Sequence, residues 1–129
     1  MKYLHAGLLL AVLIFAASLF ANSETGPHIT HASWYGPRFF GRIMKCGRRY
    51  TPDAVFTAHR TYPIGTKLKV TNLRNQRSIV VSVEDRGPFV QTQPGEERDL
   101  DLSYAAAQQL DMISEGVALV SYSEISPPS

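Results

Sequence analysis

The chain has 129 residues, 44% of them apolar, and a formal charge of +2 from 13 basic and 11 acidic side chains. That supports one domain with one modest core, and it lacks the strongly basic footprint on which non-specific nucleic-acid binding runs. A single cysteine, Cys46, excludes an internal disulfide, and together with the four histidines (His5, His28, His31 and His59) it shows no zinc-ligand spacing.

Within residues 1–21, Lys2 precedes an apolar run over residues 7–20, and the small residues Ala21-Asn22-Ser23 follow. This is a signal-peptide pattern, and the run is shorter than the ~20 residues a spanning helix needs. Export with cleavage of this segment is expected, leaving no membrane anchor; with no cysteine nearby, no lipid attachment is expected either. Loss of Lys2 and of no acid takes the formal charge from +2 to +1.

Residues 22–31 contain Gly, Pro, Thr and Ser without apolar periodicity and read as a flexible lead-in, which puts the domain at residues 32–125 and a tail at 126–129. Ala32-Ser33-Trp34-Tyr35-Gly36 is a short β-type run closed by glycine. Trp34 and Tyr35 either offer aromatic faces for stacking or anchor the core. Residues 37–53 have neither helical nor strand period and predict a long surface loop. Arg38, Arg42, Lys45, Arg48 and Arg49 make that loop the most basic part of the chain, as a solvated face or as a seat for an anionic ligand. Cys46 reads as a small packed residue.

Residues 54–58 predict a strand that delivers His59 to its end, and Tyr62-Pro63 marks a turn. Residues 66–71 alternate Leu68 and Val70 with lysines, the pattern of a half-exposed strand, and the polar residues 72–77 turn it back in a hairpin. Residues 78–83 are rich in isoleucine and valine and predict a buried strand. It runs into Asp85 and Arg86, and Gly87-Pro88 then stops the ladder. Asp85 thus sits at a rim, where it either ties down its own loop or serves a site. After a polar loop over residues 91–97, Ser103 is placed to cap a helix over residues 104–110, which sets Asp101 beside that helix start. Residues 117–122 predict the last strand. Short strands with one small helix predict a compact β-barrel with His59, Asp85 and Asp101 at element ends.

Taken in order, Ala32-Ser33-Trp34-Tyr35-Gly36, Thr57-Ala58-His59, Val70-Thr71-Asn72-Leu73, Asp85-Arg86-Gly87-Pro88-Phe89 and residues 101–107 resemble the RlpA (rare lipoprotein A) family. The resemblance implies a mainly β fold, the six-stranded double-psi β-barrel shared with expansins and barwin-like proteins. It also implies a bacterial envelope protein acting as a lytic transglycosylase on peptidoglycan, with a preference for glycan strands stripped of peptides. His59 and Asp85 match two of three positions implicated in catalysis. The third, a glutamate after the glycine of an Asn-Gly-Glu or Cys-Gly-Glu loop, falls on Arg48. Asp101 matches an aspartate that expansins and related barrels carry before the same helix. Longer family members add a C-terminal glycan-binding repeat and a lipidated N-terminal cysteine, neither of which this sequence shows.

Transglycosylation needs an acid for the glycosidic oxygen and a base for the muramyl 6-hydroxyl, with no metal or organic cofactor. The expected roles are Asp85 as acid and base, His59 as the group that orients substrate, and Asp101 as support for the charge balance. Tyr35, Arg48 and Arg86 are the expected substrate contacts. A positive charge in the glutamate's place favours the ionised form of a neighbouring carboxyl, so weak activity is expected. The alternative is a non-catalytic, expansin-like module that binds the wall. The expected partner is peptidoglycan glycan, bound by a monomer in the periplasm or envelope, or secreted.

Overall fold

Alternation decides which side chains face inward. In the segment Lys67–Asn72 the residues Leu68, Val70 and Asn72 are buried while Lys67 and Lys69 face solvent. The same period places Ala118, Val120 and Tyr122 inside along Ala118–Glu124, and Leu100 and Leu102 inside along Arg98–Leu102. The computed structural model describes residues 26–125. Six strands run through it: β1 (His28–Trp34), β2 (Phe56–Ala58), β3 (Lys67–Asn72), β4 (Ser78–Asp85), β5 (Arg98–Leu102) and β6 (Ala118–Glu124).

These strands close into a barrel in the order β1, β5, β2, β4, β3, β6. Two neighbouring pairs, β1 with β5 and β2 with β4, are parallel, and the other four pairings are antiparallel. Closure leaves no strand edge unpaired. The core joins Leu68, Val70, Val81, Val83, Leu100, Leu102 and Val120 to the apolar face of helix α1 (Tyr104–Gln109) and to Leu110 and Met112 beyond it. Ser103 caps that helix as predicted, its Oγ accepting from the Ala106 N–H at 3.3 Å, and it also accepts from the Phe56 N–H at 3.1 Å. The cap therefore ties the helix start to β2.

Three sequence expectations change. The lead-in is shorter than residues 22–31, because β1 begins at His28. Its outward Ile29 and inward Thr30 carry no apolar alternation, and the strand is held by pairing with β5 and β6. Residues 98–102, for which the sequence predicts no element of their own, form β5. Residues 37–53 are a loop, but a packed one: Met44, Tyr50 and Phe56 make a second small core with Tyr35, Phe39 and Phe40 around them. Aromatic edges meet faces throughout this cluster, as between Tyr50 and Phe56 at 5.1 Å and Phe40 and Tyr50 at 4.9 Å. The signal-peptide and tail expectations lie outside the described residues.

Candidate active site

The end of β2 organises the site. Ala58 pairs with Asp85 on β4 and with Asp101 on β5, so the two aspartates stand level on strands either side of β2. At the usual strand spacing their backbones are about 10 Å apart. Both line one groove of about 400 Å³, together with Tyr35, Phe39, Arg42, Ile43 and the rim segment Arg86, Gly87, Pro88, Phe89 and Val90. A β-bulge lies at this level, since Val83 and Asp85 pair with the consecutive residues Thr57 and Ala58 and leave Glu84 as the extra residue. Gly87, at φ +133°, then turns the chain along the groove through a conformation that favours glycine.

Asp85 is held at both oxygens. The Tyr35 hydroxyl donates to Oδ2 at 3.0 Å, and the Lys45 backbone N–H donates to Oδ1 at 3.0 Å. Tyr35 was expected to touch substrate; it lines the groove, but its ring is enclosed edge-on by Phe39, Tyr50 and Phe56. Burial, with Asp85 and Asp101 nearby, raises its phenol well above the ordinary range, so it keeps its proton and acts as a fixed donor.

Asp101 differs in kind. Burial pushes its carboxyl up from 3.8 to about 6, opposed by the hydrogen bond from Ser33 and the charge of Arg98 and reinforced by the charge of Asp85. The Ser33 hydroxyl donates to Oδ1 at 3.0 Å. The groove therefore pairs a doubly anchored carboxyl with one that retains a proton well above the usual carboxylate range. Two carboxyls set apart in this way suit general acid–base chemistry.

His59 does not line this groove. It is 8% exposed, and its ring stacks on Tyr62 at 4.1 Å with an edge toward Tyr122. Nδ1 accepts from the Thr61 and Tyr62 N–H groups at 3.1 and 3.0 Å, which puts the ring proton of the neutral form on Nε2. Burial lowers its pKa, partly offset by Asp99. Arg86 lines the groove, but its Nη1 donates to the His59 and Tyr62 carbonyls, so this guanidinium is committed to the turn behind the rim.

Arg48 lies elsewhere. It forms an ion pair with Glu84, with side-chain exposures of 72% and 9%, in a separate pocket lined by Met44, Arg49, Thr51, Ala54 and Val55. Its charge is answered there, which removes the reason for expecting it to act on Asp85. The Cys46 Sγ is 3.9 Å from Glu84 Oε1 and the Cys46 N–H donates to the Glu84 carbonyl, so the thiol is a packed residue on the bulge. Sequence reasoning missed Ser33, Ile43 and Phe89 as parts of the site. Only Phe89, an aromatic directly after a Gly-Pro turn, carried a signal.

Two parallel strand pairs in a closed six-stranded barrel, with an acidic groove across the end of one of them, define a double-psi β-barrel protein. The family model described as lytic transglycolase matches residues 29–122, and the chain belongs to this family, that of the RlpA proteins. A relative from Campylobacter jejuni, named endolytic peptidoglycan transglycosylase RlpA, is 51% identical over 78% of this chain and 34% of its own. The protein of the same name from Neisseria meningitidis serogroup A is 44% identical over 75% of this chain and 38% of its own. This chain thus spans about a third of the length of these relatives. Among solved structures, the expansin of Clavibacter michiganensis superposes with a TM-score of 0.60 at 22% identity, covering 81% of this chain and 52% of that one. A Streptomyces papain inhibitor superposes with a TM-score of 0.56 at 21% identity, covering 78% and 96%.

Proposed function

We propose that this domain cleaves peptidoglycan glycan strands as a lytic transglycosylase, with Asp101 as the acid and Asp85 as the base. The observation that carries the reading is the unequal carboxyl pair in one groove, with Asp101 raised to about 6. Asp101 gives its proton to the oxygen linking a muramyl residue to the next glucosaminyl residue, and the bond from that oxygen to the anomeric carbon breaks. The muramyl 6-hydroxyl oxygen attacks the same carbon while Asp85 takes the hydroxyl proton. The products are a 1,6-anhydro-muramyl end and a free 4-hydroxyl, and no water is consumed. Proton exchange through solvent then returns the pair to its starting state.

This assignment moves the acid from Asp85, expected from the sequence to serve as both acid and base, to Asp101 and leaves Asp85 as the base. His59 becomes a positioning residue: it fixes the turn whose carbonyls hold Arg86, next in sequence to Asp85. The names of the relatives support the substrate class. The export pattern of residues 1–21 fits a substrate in the envelope, where we place the protein as a monomer.

The test is incubation with amidase-treated peptidoglycan, followed by mass spectrometry of the released ends. Anhydro-muramyl ends are expected from the native sequence and none from Asp85→Asn. Strands that bind but are never cut would favour a wall-binding module.

A further inference from the structure

We infer that Arg42 reads the free lactyl carboxylate of a muramyl residue and so fixes which sugar of the alternating strand lies over Asp85 and Asp101. The inference rests on the transglycosylase reading and names the group by which that site recognises its substrate. Among the described residues, Arg42 and Arg86 are the two cations lining the groove, and Arg86 already donates to two backbone carbonyls. Among the described residues Arg42 makes no ion pair and no side-chain hydrogen bond; its guanidinium lies 5.4 Å from the Phe39 ring centroid. Its backbone is pinned on both sides, the N–H donating to the Phe39 carbonyl at 3.2 Å and the carbonyl accepting from the Tyr50 N–H at 2.8 Å. The side chain is thus an exposed cation on a fixed stem, beside two aspartates that would repel an anion without it. Phe89 and Ile43, 76% and 59% exposed, add apolar surface to the same groove for the faces of sugar rings.

The strand alternates muramyl and glucosaminyl residues, and only the muramyl residue carries a lactyl group. A slip of one sugar would put a residue without a carboxylate beside Arg42. Where a stem peptide is attached, the lactyl carboxyl is an amide and carries no charge. An arginine–carboxylate contact therefore selects the register of cleavage, and it supplies a physical cause for the preference for peptide-free strands that the family resemblance implies.

The experiment compares amidase-treated strands with the same strands after carbodiimide conversion of the lactyl carboxyls to methylamides. Two readouts are taken, anhydro ends by mass spectrometry and affinity by titration calorimetry. The native sequence should favour the carboxylate strands by about ten- to a hundredfold, the range of a charge-assisted hydrogen bond. In Arg42→Gln that ratio should fall close to one, and Arg42→Lys should restore part of it. A ratio near one in the native sequence, or one unchanged in Arg42→Gln, overturns the inference even if anhydro ends form. Affinity that discriminates through Arg42 without any anhydro ends upholds the inference and overturns the transglycosylase reading. Failure to bind either strand overturns both.

Discussion

At the scale of single residues, the burial that equips Asp101 to donate a proton also weakens the fold. Its folded pKa lies above the unfolded value, so the native state binds more protons between about 3.8 and about 6. Stability from this group therefore grows as pH falls through that window, and the burden of the ionised form is fully present above it. Asp101→Asn should raise thermal stability at pH 7 to 8 by at most about 3 kcal/mol, with the gain vanishing below about pH 4, while anhydro ends disappear. Melting curves across pH, read beside the cleavage assay, check both halves. His59 gives a different test. An asparagine side chain can place an acceptor where Nδ1 stands, whereas alanine leaves the Thr61 and Tyr62 N–H groups unpaired. His59→Ala should lose about 1–3 kcal/mol of stability, and His59→Asn should keep both the fold and most of the activity. An inactive but fully stable His59→Asn would return the imidazole to the chemistry.

Among the elements, the loop over residues 37–53 and the bulge on β4 behave as one unit, and the Arg48–Glu84 pair joins them. No gain of turnover is expected from restoring the family's glutamate by Arg48→Glu. That change leaves a largely buried Glu84 facing a second carboxylate, so it should destabilise the protein by about 1–3 kcal/mol. The charge-swapped double variant Arg48→Glu with Glu84→Arg should recover much of the loss, as denaturant melts of the cycle would show. Sequence pattern made β3, β4, β6 and the capped helix legible, β3 by its alternation, β4 and β6 by their aliphatic and β-branched runs and the helix by its capping serine, although the burial expected along β4 fails at Val80, which is 53% exposed. It could not reveal β5, whose Leu100 and Leu102 make too short a run between charged residues. Nor could it reveal the start of β1, held by its neighbours rather than by its own period. The aspartates were legible as ends of elements, and Asp85 and Asp101 do meet in one groove. The positions of His59 and Arg48 were not legible, because one bulge and one stacked turn decide where those side chains go, and neither leaves a pattern in the chain.

For the molecule as a whole, closure of the barrel places the ends of β2, β4 and β5 side by side although they lie far apart in sequence. The groove is shaped by a rigid strand end, a packed loop and a Gly-Pro rim, so its carboxyls are organised before substrate arrives. Among the described residues no group of three or more His, Cys, Asp or Glu is arranged to hold a metal ion. In the proposed mechanism the proton needed for bond cleavage resides on Asp101. The direct measurement is a carbon-detected NMR titration of the aspartate carboxyls, repeated in Ser33→Ala, which removes a hydrogen bond that lowers the Asp101 pKa. The expected result is an Asp101 midpoint near 6, a rise in that midpoint in Ser33→Ala, and a cleavage rate that falls with rising pH along the same curve in each protein. An Asp101 midpoint near the ordinary 3.8, or a cleavage rate indifferent to the Ser33 change, would contradict it.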